Sequence, residues 1–81
     1  MYTVLLVDDE PNVRLGVKMM IPWDELGLDV IGEAGDGDEG LEKMLSLKPD
    51  IVIADVKMPG KTGIEMTEEA IGKGFDGKGL I

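Results

Sequence analysis

Residues 3–7 (TVLLV) are a continuous apolar, largely β-branched run, the pattern of a strand covered on both faces. Two further runs follow, LDVIGEA at 28–34 and DIVIAD at 50–55, and KGLI at 78–81 opens a fourth. Between them lie segments whose apolar residues recur every three or four positions, so the chain reads βαβαβαβ with short connections. This alternation is the tightest constraint on the fold. Strands joined through a helix run parallel, their crossovers are right-handed, and the helices cover both faces of the sheet. The predicted class is α/β, a doubly wound parallel sheet forming a single domain over 1–81.

Prolines, glycines and caps set the limits of each segment. Pro11 suits an early helical position, where its missing N–H costs nothing. Val13, Val17, Met20 and Ile21 form one stripe before Pro22 stops it, so 11–21 read as an amphipathic helix. Gly32 interrupts the second strand. Asp36 and Glu39 have the spacing of a capping box ahead of Leu41, Met44 and Leu45, and Pro49 closes that helix. Thr62 and Glu65 (T-G-I-E) form a better box ahead of Ile64, Ala70 and Ile71; Gly72 and Gly74 end the third helix. The Gly-rich stretch at 70–79 is expected to be loose, since an interior helical glycine costs up to about 1 kcal/mol relative to alanine. Trp23 reads as an anchor covering the end of the first helix. Met19, Met20, Met44 and Met66 read as core filler.

Absences narrow the chemistry. At 81 residues, burial alone gives marginal stability, although 43% hydrophobic content sets the chain apart from disordered sequences. There is no Cys and no His, which removes disulfides, the common zinc sites, Ser-His-Asp and Cys-His nucleophiles, and any phosphohistidine on this chain. Carboxylates, lysines, hydroxyls and backbone remain. A net charge of −9 repels nucleic acid and anionic membrane, and suits Mg²⁺ or a basic partner. No signal peptide and no apolar stretch of membrane-spanning length is visible, so a cytoplasmic protein that binds neither membrane nor DNA directly is expected.

The acids at the strand ends carry the functional signal. Asp8 and Asp9 follow the first strand and Asp55 ends the third. In a sheet of order 2-1-3 those strands are neighbours at the switch point where ligands bind, which brings the three acids together. Two like charges about 4 Å apart repel by roughly 4 kcal/mol at an effective dielectric near 20. A hard divalent cation relieves this, and Mg²⁺, which prefers oxygen ligands and joins carboxylates to phosphoryl groups, is the natural candidate. Asp55 would then be the nucleophile, with Asp8 and Asp9 holding the metal. Each acid has a plainer reading too: a DDE run after a strand is commonly a solvated turn, and a lone Asp55 would cap the following loop. Lys57 and Lys61 read as surface charges able to attract phosphate, and Met58-Pro59-Gly60 as a device that shapes the loop.

VDDEP at 7–11, GEAGDGDEGLE at 32–42 and PDIVIADVKMPG at 49–60 strongly resemble the receiver domain of bacterial two-component response regulators, over about residues 2–71. The segment IPWDELGLDV at 21–30 resembles, more softly, the receivers attached to AraC-type DNA-binding domains. The resemblance implies a flavodoxin-like sheet, whose strand order is already this family's own, so topology and resemblance are not independent. It implies that Asp55 accepts a phosphoryl group from the phosphohistidine of a sensor histidine kinase. It implies Mg²⁺ bound through Asp9 and Asp55, with Asp8 acting through water and the backbone carbonyl of Lys57 completing the site. Such a domain is a phosphoacceptor and not a classical enzyme, with at most weak self-phosphorylation and dephosphorylation.

Against the family pattern, Thr62 stands where Asp is usual before Gly; it still caps a helix. The chain ends before the last helix-strand-helix, and so before the Ser or Thr of strand four, the Lys of strand five and the switch aromatic. The expectation is therefore an incomplete receiver whose exposed sheet is covered by self-association or exchange of elements, and whose signalling is impaired. Two rivals stand beside it. One is a receiver-like interaction module that oligomerises without taking phosphate. The other is a Mg²⁺-dependent aspartyl phosphatase, a class that repeats Asp two places after its nucleophile, where this chain has Lys57.

Overall fold

In a computed structural model, residues 1–56, 58 and 60–80 are described. Strands β1 (Tyr2–Val7), β2 (Leu28–Ala34), β3 (Ile51–Ala54) and β4 (Lys78–Leu80) form one parallel sheet in the order β2-β1-β3-β4. Helices α1 (Pro11–Met20), α2 (Gly37–Leu47) and α3 (Gly63–Gly72) connect them in turn. The predicted alternation and the 2-1-3 order are both present. Ile81, expected to extend the fourth strand, lies outside the described residues.

The unbroken apolar run of β1 follows from its central place. Leu5 and Val7 pack with Val52, Ala54, Met44, Met66 and Ala70 on one face, while Val4 and Leu6, also buried, point to the other. Register is pinned at both ends of the β1–β3 pair. Thr3 and Asp50 exchange three hydrogen bonds of 2.8 to 3.1 Å at the amino end, and the Asp55 N–H donates to Val7 O at 3.0 Å at the carboxyl end. Gly32 marks a shift of register: Val4 faces Val30 but Leu5 faces Gly32, so β2 carries one extra residue there.

Local chemistry sets the helix limits. Pro11 opens α1 and Ile21, in an extended conformation before Pro22, closes it one residue sooner than predicted. The Trp23 indole N–H donates to Lys18 O at 3.0 Å, covering the end of that helix as expected. At α2 the Asp36 side chain accepts from Glu39 N, but Glu39 reaches back to Gly35 N instead of closing the box. The box at α3 is complete, Thr62 and Glu65 each accepting from the other's N–H.

Two of the four methionines expected in the core are not there. Met44 and Met66 are fully buried, whereas Met19 and Met20 are 77% and 83% exposed, and α1 buries no residue at all. The reason is topological. Right-handed crossovers put α2 and α3 on one face, where they pack on each other, and leave α1 by itself on the opposite face. Its stripe therefore borders an open groove of about 340 Å³ lined by Leu6, Val13, Val17 and Ile53. Even so, the accessible surface of 4878 Å² is close to the about 4,700 Å² expected of a folded monomer of this mass.

Candidate functional site at the carboxyl edge of the sheet

Because Val7 pairs with Ala54, the residues that follow each strand leave the sheet side by side. Asp8, Asp9 and Asp55 consequently each offer a carboxylate oxygen within 4.8 Å of the other two. Asp8 is half-buried; Asp9 and Asp55 are exposed. Water and salt thus screen the cluster, and its repulsion is nearer the ~1 kcal/mol of bulk water than the larger interior value. Asp8 Oδ1 already accepts from Glu10 N at 2.9 Å, which leaves its other oxygen for a ligand or a bridging water. A set made only of hard carboxylate oxygens fits Mg²⁺ and suits softer metals poorly. Lys57, whose backbone carbonyl the family resemblance assigns to the metal, lies outside the described residues, as does Pro59.

Neighbouring groups hold this edge in shape, and sequence reasoning passed over three of them. Asp8 donates its N–H to Ala34 O at 3.0 Å, and its carbonyl accepts from the Arg14 guanidinium. Arg14 Nε also donates to Glu33 at 3.2 Å, and Lys18 donates to the same carboxylate at 2.7 Å. Glu33 sits below the ordinary carboxylate range chiefly through its hydrogen bond from Lys18; partial burial opposes the shift, and Arg14 adds to it. Glu33 falls inside a strand, where an acid reads as a solvated outward residue; only its distance from Arg14 in space reveals the pair.

A pH dependence follows. Since the folded value of Glu33 is depressed, its contribution to stability is present above the unfolded value and fades as pH falls through the folded one. Thermal midpoints of wild type and Glu33→Gln should differ at neutral pH, with the variant lower, and converge from about pH 4 downward. A gap that persists unchanged into acid would assign the effect to packing.

Also missed is Gly63, the first residue of α3, which donates to Val56 O at 3.0 Å. A Cβ there would lie 3.2 Å from the Asp55 carbonyl carbon and closer still to its oxygen, so the helix start packs directly on the backbone of Asp55. Of the loop between them, Met58 is buried in the core and Gly60 has φ 78°, in keeping with the expected shaping role. Lys61, read as a surface charge, is engaged: it pairs with Glu69 at 3.2 Å and Asp38 at 3.4 Å, which hold its ammonium above the ordinary lysine value, Glu69 foremost. Among the described residues no helix is long and apolar enough to cross a membrane.

Residues 4–74 match the response regulator receiver domain family. The transcriptional regulatory protein YesN of Bacillus subtilis is 45% identical over 69 residues, covering 85% of this chain and 19% of that protein. The response regulator GacA of Pseudomonas viridiflava is 48% identical over 71 residues, covering 88% of this chain and 33% of that one. The chain thus spans a third or less of these two curated relatives. Among solved structures, a LuxR-family two-component response regulator from Aurantimonas superposes with a TM-score of 0.89 at 34% identity, over 100% of this chain and 57% of that chain. A two-component transcriptional regulator AraC from Clostridium phytofermentans gives 0.88 at 32%, over 98% and 61%. The family match and the backbone superposition lead to the same assignment, and the chain belongs to the response regulator receiver domain family.

Proposed function

We propose that this chain is a phosphoacceptor module in which Asp55 takes a phosphoryl group from the phosphohistidine of a sensor histidine kinase. The observation that carries the reading is the convergence of Asp8, Asp9 and Asp55 at the paired ends of β1 and β3. In the transfer, a carboxylate oxygen of Asp55 attacks phosphorus as the phosphorus–nitrogen bond breaks. The electron pair leaves with the imidazole, and an acyl phosphate remains on the chain. Asp9 and Asp55 would hold Mg²⁺ directly, Asp8 through water, and Lys57 through its carbonyl. When bound, the ion neutralises charge gathering on the transferring oxygens.

The residues themselves do the positioning. The backbone bond from Asp55 to Val7 fixes the acceptor on the central strand, and the β1–α1 turn sets Asp8 and Asp9 beside it. Incubation with Mg²⁺ and a small phosphodonor, followed by intact mass and peptide mapping, should give one phosphoryl adduct on Asp55 that a chelator prevents. No adduct would favour an inert interaction module, and sustained turnover of phosphate esters an aspartyl phosphatase.

Self-association is a second part of the reading, supported by the α1 stripe. Val13 and Met20 are 46% and 83% exposed, and Ile51 and Ile53 on the same side of the sheet are only half-buried. A second copy is the simplest cover for this face. Sedimentation should show a dimer whose population rises with concentration and falls on Val17→Glu substitution. A cooperatively folding monomer at every concentration would sink it, and the near-ordinary surface area makes that outcome a fair test.

A further inference from the structure

We infer that Arg14 is a positioning residue for the metal-binding turn, fixing the peptide plane between Asp8 and Asp9; this rests on the Mg²⁺ reading above. The Asp8 carbonyl belongs to the peptide that joins the two acids, so whatever holds that oxygen sets the direction in which Asp9 leaves the chain. Arg14 holds it. The Asp8 N–H is held at the same time by Ala34 O, so both polar groups of that residue's backbone are committed.

Arg14 is itself held. Its side chain is only 18% exposed, and its Nε donates to Glu33 at 3.2 Å while another guanidinium nitrogen serves Asp8. Glu33 is further tied to Lys18 on α1 through its carboxylate and to Lys43 on α2 through its backbone carbonyl. The chain of contacts therefore runs from α2 and β2 through one guanidinium into the turn that carries two of the three acids. Guanidinium geometry is what permits this: a planar fork donates in two fixed directions, which a lysine ammonium on a flexible stem reproduces poorly. Mg²⁺ demands near-ideal octahedral geometry at about 2.0–2.1 Å, so a turn that wobbles loses affinity steeply.

Arg14 is also a cation on the rim of an acidic site, since it lines the same groove as Asp8, Asp9 and Asp55. The two roles predict opposite signs. If only its charge mattered, removing it would strengthen Mg²⁺ binding by relieving cation–cation repulsion. If it positions the turn, removing it weakens binding, by about tenfold or more, the size usual for groups that orient metal ligands.

The test is calorimetric titration with Mg²⁺ alone on wild type, Arg14→Ala, Arg14→Lys and Glu33→Gln, each checked for folding by circular dichroism. Positioning predicts weaker binding in Arg14→Ala and, because charge is kept but the fork is lost, in Arg14→Lys also. Unchanged binding in Arg14→Lys, or tighter binding in Arg14→Ala, overturns the inference. Should Arg14→Ala not fold, the lysine and Glu33→Gln variants carry the test. Amide hydrogen exchange in the absence of metal supplies a readout independent of the ion. The Asp8 and Glu10 amides, which donate to Ala34 O and Asp8 Oδ1, should exchange faster in Arg14→Lys than in wild type, and equal rates overturn the inference even if wild type binds Mg²⁺. Failure of wild type to bind Mg²⁺ removes the metal reading, while the exchange rates still decide the role of Arg14.

Discussion

An Asp55→Asn variant should take up no phosphoryl group under conditions that modify the wild type fully, while remaining folded. Asparagine keeps the shape and one carbonyl oxygen, but its amide nitrogen is no nucleophile and no acyl phosphate can form. Mg²⁺ affinity should fall about tenfold or more, because the site loses a charged ligand where even outer groups matter that much. The fold should survive: Asp55 is exposed, and one of its oxygens lies within 4.8 Å of an oxygen of each of two other carboxylates, so the repulsion that its charge adds is screened to ~1 kcal/mol at most. The backbone bond to Val7 survives the exchange. A folded variant that still gains a phosphoryl group would move the acceptor to Asp8 or Asp9 and refute the assignment to the β3 tip.

Alanine at Gly63 should do comparable damage from a residue that carries no chemistry. Helix propensity alone would favour alanine by up to ~1 kcal/mol. Sterics argue the reverse, because the new methyl would lie within 3.2 Å of the Asp55 carbonyl carbon and 3.5 Å from the Ala54 side chain. The obstacle is backbone and cannot swing aside as a side chain would. Overpacking of this kind costs about 1–3 kcal/mol, a large share of the total for so small a domain. The strain would be relieved by displacing either α3 or the Asp55 peptide. A displacement near 1 Å at a reacting group lowers rate by about 100-fold. Urea denaturation and single-turnover phosphorylation would show both effects; a variant as stable and as reactive as wild type would show that α3 yields freely.

Much of this was readable from the residues in order. The period of the apolar runs gave the strands, and prolines and caps gave the helix limits to within a residue or two. Paired acids at the ends of the first and third runs then had to meet once those strands were neighbours. What stayed hidden were relations that no local pattern encodes. Arg14 and Glu33 are 19 residues apart and each looks like a solvated charge. Gly63 looks like a filler between Thr62 and Ile64 until α3 is seen pressed on Asp55. Met19 and Met20 failed for a related reason: a helical stripe says which side is apolar, not whether anything faces it.

Edge strands invite lateral growth by backbone pairing, and the β2 margin of this sheet is guarded against it. Along β2 the extra residue near Gly32 breaks the regular ladder, and exposed Asp29 adds negative charge to that rim. Fibrils would find poor purchase there.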